Sequence, residues 1–275
     1  MSAPRVIVAG NVTVDDVIYP DGQVAMGQLG GNAVYASVGC RLTGAPTEIV
    51  SRYGADTPDG LLADLAALGV SLAALRAYDG PTTRAWLVYG PDGQRHFVPR
   101  STGPTLCASD LPSLHGSPVV LLCALPLHVA APLVAAVRAA APCARIVLDS
   151  HESWGSDLAA VLEVARRVDV FAPSQDELAA LTGFDAPERS LAELHAAGVP
   201  AVVVKLGARG ALLADGLVAA PRVEQVDPTG AGDTFCGALA GGLALGAALR
   251  QSVTAACLIA AESVRRVGST ALAMP

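Results

Sequence analysis

The sequence predicts an α/β protein: a mostly parallel central sheet with helices on both faces, plus a small β appendage near the N-terminus. Three observations carry this. From Ser117 onward, near-continuous apolar strands alternate with amphipathic helices, the pattern of a parallel sheet covered on both sides. The chain opens on "RVIVAG", a β-branched run suited to a buried first strand. Between Ser71 and Val98, three strand-like runs are joined by "DGPTT" and "PDG", which reads as antiparallel pairing.

Taken in order, "NVTVDDVIYPDGQVAMGQL" follows the first strand and suggests small strands outside the main sheet. "GGNAVYASVGCRLTG" reads as a helix entered through two glycines and closed by Gly44. "TEIVSR" is a strand, and "TPDGLLADLAAL" a helix with a Thr cap and an early Pro. "SLAALRAY", "RAWLVYG" and "RHFVP" are the strands of the antiparallel section. "PVVLLCAL", "ARIVLD", "VDVFAP" and "VPAVVVKLG" are then parallel strands separated by helical stretches, among them "DLAAVLEVARR" and "QDELAALTG". "GALLAD" and "LVAAP" form a hairpin, and two helices at about 231–246 and 248–266 complete the chain.

Of the 275 residues, 52% are hydrophobic and 16% charged, so the chain is globular, with a core of Ala, Val and Leu since aromatics are 4%. The net charge of −7, with no Lys or Arg run, argues against a nucleic-acid surface. The six cysteines lack metal-ligand spacing and read as small buried hydrophobes in a reducing compartment. The start has no signal-peptide pattern, and Pro126, His128 and Pro132 interrupt the most apolar stretch, so no membrane span is expected and the expected location is cytoplasmic.

Ligands of open parallel sheets bind beyond the carboxyl ends of the strands, which directs attention to the residues after each strand. The richest stretch is "DPTGAGDTF", Asp227 to Phe235. Gly230, Ala231 and Gly232 precede an apolar helix, so their N–H groups sit at a helix N-terminus and suit a phosphate. Asp233 follows them. A carboxylate in the first turn complements the helix dipole, and it can equally serve chemistry; the triplet alone leaves both readings open.

The longer string resembles the C-terminal signature of the ribokinase-like carbohydrate kinases, the phosphofructokinase-B family, and other pieces follow in that family's order over essentially the whole chain. "GNVTVDD", "GGNAVYASVGCRLTGAPTEIVSRYGAD", "VDVFAPSQDELAALTG" and "VVVKLGARGALL" resemble its substrate, N-terminal, magnesium and nucleotide segments. The resemblance implies a three-layer fold in one domain over 1–275, with a β lid from about 12–29 and 80–100 that closes over substrate and excludes water. It implies an ATP-dependent kinase using Mg²⁺, with a monovalent cation such as K⁺ common in the family, and a homodimer paired through the lids. The acceptor would be a hydroxyl of a small polyol, sugar or nucleoside; a non-catalytic nucleotide or sugar sensor on the same fold is the competing reading.

By the resemblance, the Gly230-Ala231-Gly232 amides form an anion hole and Asp233 is the general base that takes the alcohol proton. Asp15 grips substrate hydroxyls, with Thr13 beside it, while Gly30 and Gly31 let substrate approach the backbone. The usual Asn four residues past the second Gly is here Tyr35, which points away from ribose and towards a cyclitol, an unusual sugar or a nucleoside; Asn32 is a nearby polar candidate or a helix-start residue. Arg84 reads as facing substrate from the lid or as ordinary β packing. Glu177 holds the Mg²⁺ hydration shell through water, with Ser174 in the place of the family's Asn. Lys205, Gly207, Gly210 and Thr229 join the nucleotide site, and Asp227 orders the loop and a nearby cation.

Overall fold

The computed structural model describes residues 5–58, 60–90, 95–116 and 119–269. β1 (Val6–Ala9) lies inside a six-stranded sheet. On one side it pairs with β8 (Val119–Leu122), then β9 (Arg145–Asp149) and β10 (Val170–Ala172); on the other with β4 (Thr47–Gly54), then β5 (Val70–Tyr78). Every one of these pairings is parallel. Parallel bridges Phe171↔Val202 and Ser174↔Lys205 continue the sheet into the antiparallel strands β11 (Val204–Lys205), β12 (Ala211–Leu213) and β13 (Gly216–Val218).

Alternation along the strands sorts the core into two layers. Val6, Val8, Val119 and Leu121 pack with α1 (Asn32–Leu42), α7 (Ala231–Ala244) and α8 (Leu249–Ser263). Ile7, Ala9, Val120 and Leu122 pack with α3 (Leu127–Ala140), α4 (Leu158–Ala165), α5 (Gln175–Thr182) and α6 (Pro187–Ala196). α1 and α7 meet backbone to backbone: a Cβ at Gly39 would collide with the Thr234 carbonyl, and one at Gly237 with the Ala36 carbonyl. No helix among the described residues is long and apolar enough to cross a membrane.

A separate four-stranded sheet, ordered β3-β2-β6-β7, forms the lid from β2 (Thr13–Ile18), β3 (Val24–Gly30), β6 (Thr83–Tyr89) and β7 (Arg95–Ser101). β2–β3 and β6–β7 are antiparallel, while β2 and β6 run parallel.

Three local expectations are corrected. "SLAALRAY" belongs to the parallel sheet as β5, not to the antiparallel section. It is an edge strand with Val70 and Ala74 buried between exposed positions, and this half-covered alternation imitates an antiparallel strand. The helix expected over "TPDGLLADLAAL" shrinks to α2 (Ala63–Ala67), because Gly60 turns at positive φ and Thr57 Oγ1 donates back to the Gly54 carbonyl instead of capping. Four of the cysteines are buried, but Cys107 and Cys143 are exposed. The "PDG" turn at 91–93 lies outside the described residues.

Candidate active site

The carboxyl ends of β1, β8, β9 and β10 open into a cavity of about 480 Å³, and Asn11, Ala124, Ser150 and Glu177 come from the segments after those strands. Thr83, Leu87 and Phe97 of the lid roof it, and Pro228 to Asp233 close its far wall.

Asp15 is buried and lines this cavity, packed so closely against Gly30 that a Cβ there would collide with its carboxylate. Thr13 also lines it, and among the described residues its buried Oγ1 has no hydrogen-bond partner. Gly31 and Asn32 are on the wall. Asn32 Oδ1 accepts from the Asn11 amide at 2.7 Å and its Nδ2 donates to the Ala124 carbonyl at 2.6 Å, fixing the segments after β1 and β8 to each other. Tyr35 presents its ring to Gly230; burial first, then Asp227 and Asp15, push its phenol well above the ordinary range. Arg84 is not among the lining residues: its guanidinium is engaged by the side chain and carbonyl of Asp56.

Lys205 stands at the inner end. Its Nζ is 2.5 Å from Asp149 Oδ1, and the pair is largely buried. Burial works against the lysine's charge, but Asp149 and Glu177 outweigh it and hold Lys205 protonated. Glu177 Oε2 accepts from Ser150 Oγ (2.5 Å), Ser174 Oγ (2.7 Å) and the Ser174 amide (2.8 Å), so Ser174 caps α5 and orients the carboxylate. Burial raises the Glu177 carboxyl; Lys205 and these hydrogen bonds overcome it and leave it below the ordinary 4.5.

The loop "DPTGAGD" is built from its own side chains. Asp227 Oδ1 accepts from the Thr229 amide at 2.9 Å, an Asx turn that sets up Gly230. Gly230 has φ 69°, where L side chains are rare, and a Cβ would strike the Tyr35 ring. α7 then starts without a side-chain cap; the Ala231 amide donates to the Pro228 carbonyl at 3.3 Å and the Thr234 amide to the Gly230 carbonyl at 2.8 Å, with Gly232 and Asp233 between them at the helix start. On the other side of this turn lies a second cavity of about 440 Å³, reached by Gly207 and Gly210 and walled by Pro221, Phe235 and α8. The two cavities share Lys205, Pro228, Ala231 and Gly232 as a common wall.

A family model described as pfkB family carbohydrate kinase matches residues 23–275. The chain belongs to the PfkB family of carbohydrate kinases. It is a phosphotransferase with an alcohol group as acceptor. A cytidine kinase of Thermococcus kodakarensis is 25% identical over 95% of this chain and 96% of its own. A ribokinase of Arabidopsis thaliana is 29% identical over 86% of this chain and 70% of its own. Among solved structures, an E. coli protein assigned only provisionally as a ribokinase II, in complex with ATP and Mg²⁺, superposes at TM-score 0.81 with 25% identity over 97% of this chain and 94% of that one.

In this PfkB kinase, the α8 wall of the second cavity is what sequence reasoning missed. Cys257, Ala260, Ala261 and Val264 line it at i, i+3, i+4 and i+7, a single helical stripe that also suits ordinary core packing. Ser150 and Glu152, just after β9, are also on the first cavity's wall; the strand-end rule could have reached them.

Proposed function

We propose that this PfkB kinase moves the γ-phosphoryl group of ATP onto a hydroxyl of an uncharged sugar, nucleoside or cyclitol. The observation that carries the reading is the common wall: two cavities of ligand size share Lys205, Pro228, Ala231 and Gly232. The second cavity, with its small-residue helix stripe and the Gly207–Gly210 turn, takes the nucleotide. The first takes the acceptor, with Asp15 gripping hydroxyls and Thr13, Asn32 and Tyr35 around them. The N-terminus of α7 and Lys205 stabilise charge on the transferring group in line between the two. Asp233, on the acceptor side, takes the alcohol proton.

Mg²⁺, when bound with the nucleotide, neutralises phosphate charge. No group of three or more His, Cys, Asp or Glu residues that could hold a metal is present among the described residues, so the ion would rest on phosphate oxygens and water. Glu177, kept ionised and oriented by Ser150 and Ser174, suits the role of outer acceptor. A K⁺ fits Asp227 less well, since its oxygens already accept from Tyr19 Oη, the Thr229 amide and the Gly268 amide.

The charge of the acceptor supports the same reading. Asp15, Asp149, Glu152, Glu177 and Asp233 line the first cavity, against Lys205, which Asp149 already pairs. A phosphorylated sugar would meet carboxylates and, among the described residues, no spare lysine or arginine there. Turnover of ATP measured against matched pairs of sugars and nucleosides, with and without a phosphate, tests this. Transfer to a neutral member is expected; transfer only to phosphorylated members would overturn the acceptor assignment. The outer lid face, with Val24, Met26, Trp86 and Val98 exposed, suits the pairing of two lids, which sedimentation would reveal as a dimer.

A further inference from the structure

Two tyrosines join the lid to the phosphate-binding turn. Tyr19 follows the last residue of β2 and Tyr89 ends β6. These strands run parallel in register, Ile18 opposite Val88, and the two rings stack at 6.2 Å between centroids and 5° between planes. Both rings belong to the lid's own apolar cluster with Val17, Ala85 and Leu87. Their hydroxyls leave it: Tyr19 Oη donates to Asp227 Oδ2 at 3.1 Å, and Tyr89 Oη shares a 2.6 Å hydrogen bond with Thr229 Oγ1.

The two anchored residues flank Pro228 and are themselves the Asx turn that launches Gly230 and α7. Asp227 and Thr229 are both buried. The lid therefore cannot leave the turn without breaking both bonds. Tyr19 remains a donor at neutral pH, since burial and then Asp227 raise its phenol.

We propose that Tyr19 and Tyr89 are positioning residues that couple the lid to the anion-binding turn, so that the turn holds its transfer-competent shape only while the lid is down. This rests on the kinase reading for its consequence and on the contacts alone for the coupling. If the lid stabilises the turn, a nucleotide that stabilises the turn must hold down the lid by the same factor.

The test is hydrogen–deuterium exchange on the full chain, with kinetics beside it. Tyr19→Phe and Tyr89→Phe keep both rings and remove only the hydroxyls, and Thr229→Val breaks the second bond from the turn side. Amide exchange in 227–231 is expected to rise several-fold in the tyrosine variants, and exchange in β2 and β6 to rise in Thr229→Val. A non-hydrolysable ATP analogue should slow lid exchange in the wild type and lose that effect in the double Phe variant. The double variant should lose about tenfold in kcat, as expected for two hydrogen bonds, and its ATP affinity should fall by the same factor by which nucleotide no longer holds down the lid. Turn exchange unaltered by both lid variants would overturn the coupling. If the wild type phosphorylates no acceptor, the kinase reading falls while exchange alone still decides the coupling.

Discussion

The two cavities are of similar size and are built in opposite ways. The cavity proposed for the acceptor is lined by charged groups from four strand ends and roofed by a sheet that belongs to another layer. The second is lined by small and apolar side chains, backbone turns and one helix, with Lys205 and Arg222 its only charged walls among the described residues. One side reads its ligand by hydrogen bonds and charge, the other by shape and backbone. Substitutions should therefore separate the two, and they do so most sharply near the shared wall.

The largest effect is expected from Asp233→Asn, which keeps the helix start but removes the proposed base. We expect kcat to fall by about 10²–10⁴, while calorimetry finds ATP affinity nearly intact; full activity would break the division of labour at the wall. Gly230→Ala comes next. Its Cβ needs a disfavoured φ and meets the Tyr35 ring, costing about 2 kcal/mol of stability and most of the activity; thermal unfolding and turnover together check it. Adding Tyr35→Ala should relieve the clash but not the backbone strain.

Further from the wall, a matched pair tests independence. Asp15→Asn should raise the acceptor KM by about 10- to 100-fold, the scale of a charge-assisted hydrogen bond, and leave ATP KM unchanged. Ala260→Leu should do the reverse, weakening ATP about tenfold by overfilling its cavity. Cross-effects of similar size would show that the cavities are one site.

The smallest effect is a pH dependence. Glu177 has a folded value below its ordinary 4.5, so it stabilises the fold above that pH and loses this contribution as pH falls through the folded value. The wild type's advantage in melting temperature over Glu177→Gln, present at pH 7, should shrink below pH 4.5.

The local patterns were legible in the sequence because each is written in consecutive residues. The apolar strands, the small-residue loop after Asp227 and the helix start at Gly230 need no distant partner to be recognised. Pairings are a different matter. Lys205 meets Asp149 across 56 positions, and Tyr19 meets Asp227 across 208; neither residue type predicts its partner. Arg84 shows the same gap, since a strand pattern places it on the lid but cannot foresee that Asp56 takes its guanidinium. β5 was misplaced because an edge strand of a parallel sheet, covered on one side, has the periodicity of an antiparallel one.

The glycine contact between α1 and α7 has a consequence for how such an enzyme changes. α1 carries Asn32 and Tyr35 on the proposed acceptor side, and α7 carries Asp233 and starts at the turn proposed to bind the anion. With their backbones touching at Gly39 and Gly237, the two helices form a single ruler whose length side chains cannot adjust. A new acceptor must therefore be accommodated by exchanging what projects from that ruler, at Tyr35 or on the lid, while the distance from hydroxyl to phosphate is inherited unchanged.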